Sequence, residues 1–374
     1  MYKSWLAPSD SRSPDQIHVV VAMSGGVDSS VAALILKEAG FNCSALFMKN
    51  WDEMEDQGTC QWEEDVADAL QVCDMLEIPL NTVDLSKDYW DLVFKDLVDG
   101  YKLGRTPNPD VLCNREIKFK AFADEAFRLG GDFIATGHYV QSIFNGQKKL
   151  LLRGNDPQKD QSYFLHTLDQ KQLKKALFPV GHLRKEQVRE LAKKAGITVH
   201  DKKDSTGICF IGERDFRQFL SKYIPSEEGH IIDTAGNRIG LHQGAALYTL
   251  GQRKGLGIGG VKNATDEPWF VVEKNLAKNE LTVAQGTSNP VLLGDRLTLS
   301  EISWVNQDNG EYPKSLSAKI RYRQPDQKCL VSKRDGHGYE VSFDQKQRSI
   351  APGQSIVFYE KDVCLGGGII EISE

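Results

Sequence analysis

Apolar residues follow two different rhythms along this chain, and the change between them divides it into parts. Up to about residue 140, short apolar runs alternate with stretches whose apolar residues recur at helical spacing. Strands that alternate with helices through short turns are typical of a doubly wound parallel sheet, so we expect an α/β fold here. The predicted strands cover 17–23, 42–48, 80–84 and 133–136, and the predicted helices cover 31–39, 64–76, 90–101, 116–129 and 187–195.

From about residue 213, short strands separated by Gly, Pro and Asp-Gly turns replace the helical spacing. Many short strands at regular intervals indicate a small barrel. The predicted elements are a short helix over 215–223 and strands over 229–233, 244–250, 269–272, 354–359 and 363–370. The chain of 374 residues is long enough for several domains. We expect a flexible tail over 1–16, an α/β domain over 17–212, a small central domain over 213–288 and a C-terminal β-barrel over 289–374.

A glycine-rich turn joins the first predicted strand to the first helix, and residues 24–30 have the sequence Ser-Gly-Gly-Val-Asp-Ser-Ser. N–H groups at a helix N-terminus hold anions, and Gly25 and Gly26 let the backbone approach a phosphate closely. The turn is neither a Walker A loop nor a dinucleotide fingerprint. An ordinary turn is the alternative, but Asp28 and the three serines favour nucleotide binding. Since ligands bind beyond the carboxyl ends of such strands, we place adenine near Met48 and Gly137.

Two cysteines lie in loops suited to chemistry. Two prolines stiffen residues 106–114, which present Asn108 and Asp110, and Cys113 precedes the helix predicted from near residue 116, where a thiolate is favoured. Basic residues flank Cys209 and favour a thiolate or a persulfide there. A buried structural cysteine is the alternative at both positions. Cys60 is assigned no role, and packing roles are predicted for Cys43, Cys73, Cys329 and Cys364.

Charge is distributed unevenly along the chain. Residues 1–110 contain 8 basic and 20 acidic residues, the remainder contains 38 and 32, and the net charge is −6. A basic remainder fits contact with a polyanion through part of the surface, although chance is the alternative. An odd number of cysteines without a Cys-x-x-Cys pair argues against a disulfide framework or a zinc ribbon. Without a signal peptide or an apolar run of transmembrane length, we expect a cytoplasmic protein.

Three weaker patterns point to the C-terminal half. Alternation over 319–323 predicts a strand with Lys319, Arg321 and Arg323 on one face, suited to phosphates, or else a solvated barrel face. Five glycines within 251–260 predict either plain turns or a mobile flap over RNA near Cys209. The glycines at 366–368 predict a β-bulge.

Longer motifs resemble one family. The chain is similar over nearly its whole length to bacterial tRNA-specific 2-thiouridylases, which belong to the ATP pyrophosphatase (PP-loop) superfamily and replace the C2 oxygen of the wobble uridine with sulfur. The matching motifs lie at residues 22–30, 47–51, 106–119, 135–139, 159–165, 205–214, 250–260, 321–324, 352–355 and 364–368. The resemblance implies that 17–212 is a PP-loop ATP-binding catalytic domain and that the barrel binds tRNA.

The resemblance also implies a role for each site residue. Cys209 carries a persulfide received from a cysteine desulfurase or a sulfur-relay protein, and Cys113 resolves it and can form a disulfide with Cys209. ATP, with Mg²⁺ on its phosphates, contacts Ala22, Met23, Ser24, Gly25, Gly26, Val27, Asp28, Ser29, Met48 and Gly137. The target base of the tRNA (those for Glu, Gln and Lys are expected) contacts Asn108, Pro109 and Asp110, and the rest of the tRNA contacts His138, Lys159, Asp160, Gln161, Arg321, Tyr322 and Gln354.

Two other classes of function compete with this one. Another PP-loop enzyme, such as an amide-forming synthetase, needs neither paired reactive cysteines nor a basic C-terminal barrel. A non-catalytic protein that binds RNA or senses nucleotides would keep its function without Cys113 or Cys209. A cluster-dependent tRNA thiolase would need Cys-x-x-Cys spacing, which this sequence lacks.

Overall fold

The computed structural model describes residues 4–51, 61–203, 216–224, 226–259, 265–306, 308 and 310–373. Cys60, Cys209 and Arg214 therefore lie outside the described residues. Within the described ranges, no helix has the length and apolar character needed to cross a membrane.

The longer helices lie in the first two hundred residues. In chain order, the α-helices of the described part are α1 (Val27–Glu38), α2 (Gln61–Met75), α3 (Ser86–Tyr89), α4 (Lys95–Lys102), α5 (Pro109–Leu112), α6 (Phe122–Arg128), α7 (Gln170–Lys174), α8 (Lys185–Lys194) and α9 (Phe216–Leu220). Two π-helical segments, Trp90–Phe94 and Cys113–Ala121, continue α3 and α5. Short 3-10 turns cover Pro14–Gln16, Ser162–Leu165, Thr198–Asp201, Ala245–Leu247 and Pro290–Leu292.

The strands form three sheets. In chain order they are β1 (His18–Met23), β2 (Asn42–Lys49), β3 (Leu80–Asp84), β4 (Phe133–Ala135), β5 (Val140–Asn145), β6 (Lys148–Arg153), β7 (Ala176–Leu177), β8 (Gly229–Asp233), β9 (Arg238–His242), β10 (Trp269–Asn275), β11 (Glu280–Gln285), β12 (Leu293–Leu299), β13 (Ser303–Trp304), β14 (Lys314–Lys319), β15 (Gln327–Lys333), β16 (Tyr339–Arg348), β17 (Ser355–Glu360) and β18 (Val363–Ser373).

The N-terminal sheet is parallel, with the strand order β3-β2-β1-β4-β7. Successive side chains of β1 point to opposite faces: Val20 packs in one core with the helices that follow β3, whereas Val19 and Val21 pack in a second core with α1 and α8. Helices therefore cover both faces, and the predicted doubly wound α/β sheet is confirmed. The carboxyl ends of β1, β2 and β4 lie side by side at one edge.

The C-terminal strands close into a barrel, as predicted. The order β12-β16-β15-β14-β17-β18 returns to β12 through an antiparallel pairing of β12 with β18. Its interior is filled by apolar side chains, including Leu297, Val331 and Phe358. The bulge predicted at residues 366–368 lies one residue earlier: Gly366, Gly367 and Gly368 pair regularly with β17, and the register shifts between Gly366 and Cys364, which leaves Leu365 as the extra residue.

A hairpin that the apolar pattern did not predict links the first part of the chain to the barrel. Strands β5 and β6 pair around a turn at Gly146, whose φ is +61°. The outer edge of β6 pairs with β18, where Leu152 lies opposite Val363 and Leu151 opposite Cys364. The barrel sheet therefore includes two strands that come from before residue 154.

The central residues form a smaller sheet in the order β10-β11-β8-β9. The strand predicted over 244–250 is wrong: the structure has a 3-10 turn at Ala245–Leu247, entered through Gly244 with a φ of +104°. That backbone conformation favours glycine and ends an extended run.

Candidate active site

The glycine-rich turn lies between β1 and α1 and is held by its own serines. The Ser29 and Ser30 hydroxyls donate to the carbonyl of Gly26 at 3.0 and 2.9 Å. Gly25 has a φ of +72°, and a Cβ there would overlap the carbonyl oxygen of Asp65 on α2. Gly26 is the N-cap residue, and among the described residues no side chain caps this end of α1. The first N–H groups of the helix are therefore suited to an anion.

Gly137, just after β4, packs directly on the first turn of α1. A Cβ at this position would lie 2.7 Å from the carbonyl carbon of Asp28 and 2.8 Å from the amide nitrogen of Ser29. Only a glycine lets the end of β4 approach the helix this closely. The structure thus brings Gly137 to the turn, in agreement with the crevice expected from the sequence.

Asp28 forms an ion pair with Lys185 that the sequence did not predict. Its carboxylate accepts hydrogen bonds from the Lys185 ammonium at 2.7 and 2.9 Å and from the Tyr139 hydroxyl at 2.7 Å. Lys185 is buried at the start of α8. A single basic residue beside a predicted helix carries no local signal of this contact, since it depends on how α8 packs against α1.

A second cation, Lys202, is tied to the back of the same turn. Its ammonium lies 2.7 Å from Asp65 Oδ1, 2.5 Å from Asp68 Oδ2 and 3.4 Å from the carbonyl oxygen of Gly25. Burial disfavours its charge, but the hydrogen bonds to the two carboxylates outweigh that effect and raise the pKa of Lys202. Lys202, one residue before the end of the described range that precedes Cys209, is thus bound to the glycine-rich turn and to α2.

The loop that carries Asn108 and Asp110 leads into a helix earlier than predicted. Helix α5 starts at Pro109, and the Asn108 side chain caps it by accepting from the Asp110 N–H at 3.1 Å. The predicted start near residue 116 is therefore wrong. An N-cap asparagine followed by proline was the signal for the true start. Cys113 lies one turn inside the helical run and is buried, so it does not precede the helix.

The surroundings of Asp110 and His138 shift the pKa of both side chains. Burial raises the pKa of the Asp110 carboxyl, and the charge of Lys118 partly offsets this. Burial, together with Lys118, lowers the pKa of His138 well below 6.5. The His138 Nδ1 lies 2.8 Å from the Thr136 hydroxyl, and the imidazole is neutral at pH 7. Its contact with tRNA stays a prediction.

The barrel touches the Asn108 loop through Gln354. The Gln354 amide donates to the Thr106 carbonyl at 2.6 Å, and the Thr106 N–H donates to the Pro352 carbonyl at 2.9 Å. A Cβ at Gly353, whose φ is +91°, would lie 2.7 Å from the Thr106 nitrogen. Gln354 therefore fixes this loop, and its predicted contact with tRNA is not tested by these bonds.

Two of the three residues predicted at 159–161 have side chains turned inward. The Asp160 carboxylate accepts from the Gly154 and Ser162 N–H groups at 3.0 and 3.1 Å. The Gln161 side chain accepts from the Tyr139 N–H at 2.9 Å. A tRNA contact through either side chain would compete with these bonds, whereas Lys159 is half-buried.

The strand alternation predicted over 319–323 is wrong. Strand β14 ends at Lys319, and residues 320–323 form a turn that the Gln324 side chain closes by accepting from the Ile320 N–H at 2.8 Å. Within this turn, Arg321 donates to the Ser349 carbonyl at 2.9 Å, and the Tyr322 ring packs 4.5 Å from Phe164. The basic residues here therefore do not share one strand face.

Phe164 in turn joins Tyr322 to the helix of Cys113. The Asn114 side chain, which is buried, donates to the Phe164 carbonyl at 3.2 Å. Arg321 and Tyr322 of the barrel thus reach the same neighbourhood as Asp110 and Cys113. Their contact with tRNA stays a prediction.

An aromatic cluster lies where β2 ends, next to the half-buried Met48. The Trp51 ring lies 4.9 Å from Phe94, 5.5 Å from Trp90 and 5.7 Å from Phe219 on α9. Helix α9 is the first described element after Cys209. The described residues on either side of Cys209 therefore both reach the carboxyl edge of the parallel sheet. Lys202, before Cys209, contacts the glycine-rich turn after β1, and Phe219 of α9, after Cys209, contacts Trp51 after β2.

The other described cysteines behave as packing residues. Burial raises the pKa of Cys43 and Cys73 to about 11 and that of Cys329 and Cys364 to about 12. These four thiols are therefore neutral at pH 7, which fits the packing roles predicted for them. The flap predicted over 251–260 is described to residue 259, where turns prevail and Arg253 and Lys254 are exposed.

Comparison with known proteins places the whole chain in one family. Residues 17–213 match the model of the tRNA methyl transferase HUP domain, 217–285 the tRNA methyl transferase PRC-barrel domain and 294–370 the aminomethyltransferase beta-barrel domain. The tRNA-specific 2-thiouridylase MnmA of Pseudomonas entomophila is 53% identical over 363 residues, which cover 97% of both chains. The chain belongs to the tRNA-specific 2-thiouridylase family. The Pseudomonas aeruginosa PAO1 member is likewise 53% identical, over 96% of both chains.

Solved structures similar to this thiouridylase-family chain share less of it. The U34-tRNA thiolase NcsA from Methanococcus maripaludis is 20% identical, with a TM-score of 0.35 over 60% of this chain and 72% of that one. A 4-thiouridine synthetase–RNA complex with bound ATP is 16% identical, with a TM-score of 0.34 over 56% of this chain and 50% of that one.

For a 2-thiouridylase-family chain, the described residues bring most of the expected site together. The glycine-rich turn, Gly137 and Met48 lie at one sheet edge, and Tyr322 is linked through Phe164 to Asn114, the residue after Cys113. Cys209 is the expected site residue that lies outside the described ranges. Lys185 was not predicted from the sequence, and Lys202 was expected only as a basic neighbour of Cys209, because their contacts around the glycine-rich turn depend on tertiary packing.

Proposed function

We propose that this chain is a tRNA 2-thiouridylase, which converts the wobble uridine of tRNA into 2-thiouridine and ATP into AMP and pyrophosphate. The observation that carries the proposal is the 53% identity to relatives of that name over 97% of both chains. The structure adds support, because Asp110 and Cys113 lie on one helical run beside His138, whose neighbour Gly137 packs on the nucleotide turn.

ATP fits the turn after β1. The uncapped N-terminus of α1 offers N–H donors to phosphate oxygens, and Lys185 neutralises the Asp28 carboxylate at its first turn, which would otherwise repel an anion. ATP supplies one piece of chemistry, the transfer of an adenylyl group to the uridine C2 oxygen, which turns a poor leaving group into AMP. Mg²⁺ would be carried on the nucleotide phosphates and neutralise the departing pyrophosphate.

Asp110 is suited to the proton that this step releases. When the C2 oxygen bonds to phosphorus, N3 of the uridine loses its proton, and a carboxylate beside the base can accept it. Burial raises the pKa of Asp110, which makes its carboxylate a stronger base for this task. The Asn108 cap and the two prolines hold the backbone of Asp110, so that little backbone freedom is lost when a base binds.

The two cysteines would then move the sulfur. The terminal sulfur of a Cys209 persulfide attacks C2, the C2–O bond breaks and AMP leaves. The Cys113 thiolate attacks the inner sulfur of Cys209, so that a disulfide forms between the two cysteines and the bond between the inner and outer sulfur atoms breaks. The outer sulfur stays on C2, and N3 recovers its proton from Asp110, which gives 2-thiouridine. An external thiol then reduces that disulfide before the next turnover.

The partners follow from the same chemistry. The wobble base must leave its stack to reach the crevice, so the substrate is a tRNA whose anticodon loop can be opened. The persulfide sulfur comes from a cysteine desulfurase or a sulfur-relay protein, and tRNAs for Glu, Gln and Lys are the expected acceptors. The cytoplasmic location also stays a prediction.

The test is reconstitution from purified components. Protein, ATP, Mg²⁺, a persulfide source and unmodified tRNA are expected to yield 2-thiouridine and AMP, measured by mass spectrometry of nucleosides and by chromatography. Cys209→Ala and Cys113→Ser are expected to abolish thiolation, whereas Cys43→Ala, at a buried packing position, retains it.

The alternatives predict different products. Amide formation from ammonia would identify an amide-forming synthetase, and binding of ATP and tRNA without AMP release would identify a non-catalytic protein. Full thiolation by Cys209→Ala would remove the role assigned to that cysteine.

A further inference from the structure

Thr106, the first residue of the proline-rich loop 106–114, is bonded to two other parts of the chain. Its N–H donates to the Pro352 carbonyl at 2.9 Å, and its carbonyl accepts from the Gln354 amide at 2.6 Å. Its hydroxyl donates to the Thr249 hydroxyl at 3.2 Å. All three polar groups of this buried residue thus bond to residues that follow it by 143 positions or more.

The turn that contacts Thr106 from the barrel is itself bonded to strand β18. The Gly353 N–H donates to the Ile370 carbonyl at 2.8 Å, and the Ile370 N–H donates to the Gln354 carbonyl at 2.9 Å. A Cβ at Gly353 would lie 2.7 Å from the Thr106 nitrogen, so the two backbones are in direct contact. The backbone of Thr106 is therefore held against a fixed part of the barrel.

Thr249 belongs to a turn that is fixed to the central sheet. Its N–H donates to the Gln252 side chain at 3.1 Å. The Gly251 N–H donates to the Val271 carbonyl at 2.7 Å, and the Val271 N–H donates to the Gln252 carbonyl at 3.1 Å, so the turn is bonded to β10. The bond between the two hydroxyls therefore joins the loop of Thr106 to the central sheet, whereas its backbone bonds join the loop to the barrel.

Few free torsions separate Thr106 from the first turn of α5. Pro107 and Pro109 each have a φ angle that is fixed by the ring. The Asn108 side chain accepts from the Asp110 N–H at 3.1 Å and so fixes the residues between the prolines and the helix. A displacement of Thr106 therefore also displaces Asn108 and Asp110.

We propose that Thr106 is a positioning residue for thiolation: its bonds to Thr249 and to the barrel place Asn108 and Asp110 against the target uridine. This inference rests on the proposed function. Thr106 is only 8% exposed, so its side chain acts through the loop and not by contact with the RNA. The uridine site is then complete only where the loop, the central sheet and the barrel meet.

The test isolates the bond between the two hydroxyls, because valine has the shape of threonine and leaves the backbone bonds to the barrel in place. Single-turnover thiolation at saturating tRNA is compared for the wild type, Thr106→Val, Thr249→Val, the double variant and Thr106→Ser. Each single valine variant is expected to lose about tenfold in rate, while its Kd for tRNA and for MgATP stays within about twofold of the wild type. Thr106→Ser retains the rate because it keeps the hydroxyl. The double variant loses little beyond the larger single loss, since both changes remove the same bond.

Thr167→Val is the matched control. The Thr167 hydroxyl is buried and has no hydrogen-bond partner among the described residues, so the same change removes no bond there. The rate and both Kd values of this variant are expected to equal those of the wild type. A loss of rate as large as that of Thr106→Val would show that any valine for threonine has this effect, and the inference would fail.

Other outcomes overturn the inference as well. An unchanged rate in Thr106→Val, whatever its melting temperature, would show that the bond serves packing only. A weaker Kd for tRNA without a loss of rate at saturation would indicate a role in docking the RNA, and losses that multiply in the double variant would show that the two hydroxyls act separately.

Two further readings keep the test decisive. If Thr106→Val does not fold, Thr249→Val removes the same bond from the other partner and is judged by the same rate. An inactive wild type would refute the proposed function itself, whereas an active wild type with an unchanged rate in the valine variants refutes this inference alone.

Discussion

Replacing Gly137 with alanine tests whether the conformation of the glycine-rich turn (residues 24–30) depends on the close approach of β4 to α1. The added Cβ would lie 2.7 Å from the carbonyl carbon of Asp28 and 2.8 Å from the nitrogen of Ser29, against an ordinary contact of 3.4 Å or more. Both atoms belong to the backbone of the first helical turn, so no side-chain rotation relieves the overlap. The start of α1 must therefore move by about 0.7 Å, the difference between 3.4 and 2.7 Å.

Two effects of this displacement can be measured. Overpacking of this kind lowers the free energy of unfolding by about 1–3 kcal/mol. The N–H groups of the first turn also move relative to the phosphate site, and a misplacement approaching 1 Å costs up to about 100-fold in a positioned reaction. We expect at least a tenfold weaker Kd for MgATP and a similar loss of thiolation rate.

The assay is calorimetric titration with MgATP, combined with urea denaturation of the same samples. Gly240→Ala is the matched control, because a Cβ there meets its nearest neighbour, Ile231, at 3.6 Å, an ordinary contact. Wild-type affinity and stability in Gly137→Ala would refute the reasoning, and equal losses in both variants would show that the method detects glycine replacement in general.

Two further predictions concern a buried lysine, Lys149, and a half-buried one, Lys202. Lys149 is fully buried, donates to the carbonyls of Trp5 and Ala176, and burial lowers its pKa to about 7. Above pH 7 the folded protein has lost this proton, whereas the unfolded chain keeps it up to a pH of about 10.5. The free energy of unfolding of the wild type, relative to that of Lys149→Met, should therefore rise by roughly 1 kcal/mol per pH unit above pH 7. Urea denaturation at pH 7, 8 and 9 measures this difference, and a difference that does not change with pH would contradict the prediction. Lys202→Met leaves Asp65 and Asp68 unneutralised beside the turn, and we expect about fivefold weaker ATP binding at low salt, partly restored in Lys202→Arg; a loss that persists at high salt would point to another cause.

The spacing of apolar residues was sufficient to predict the strands and helices whose buried positions follow that spacing. It predicted β1, because Val19, Val20 and Val21 are buried between two helical layers, and it predicted the carboxyl-edge crevice. It missed the start of α5 although the Asn108–Pro109 pair indicated it. It also missed the hairpin around Gly146, whose Asn-Gly turn is a strong signal.

Other features could not be read from local sequence. The pairing of β6 with β18 joins residues about 210 positions apart, and no spacing rule connects them. The contacts of Lys185 and Lys202 depend on how helices pack around α1. Each of these cations lies at the site through tertiary structure alone.

The join between β6 and β18 bears on how the chain is made. At a synthesis rate of roughly 5–20 residues per second, β6 leaves the ribosome about 10–40 seconds before the segment that will pair with it. For that interval the hairpin has an open edge, which is a template for wrong strand pairing. Newly made chains should therefore depend most on chaperones before residue 363 has left the ribosome. This holds even though the last described strand of the parallel sheet ends at residue 177.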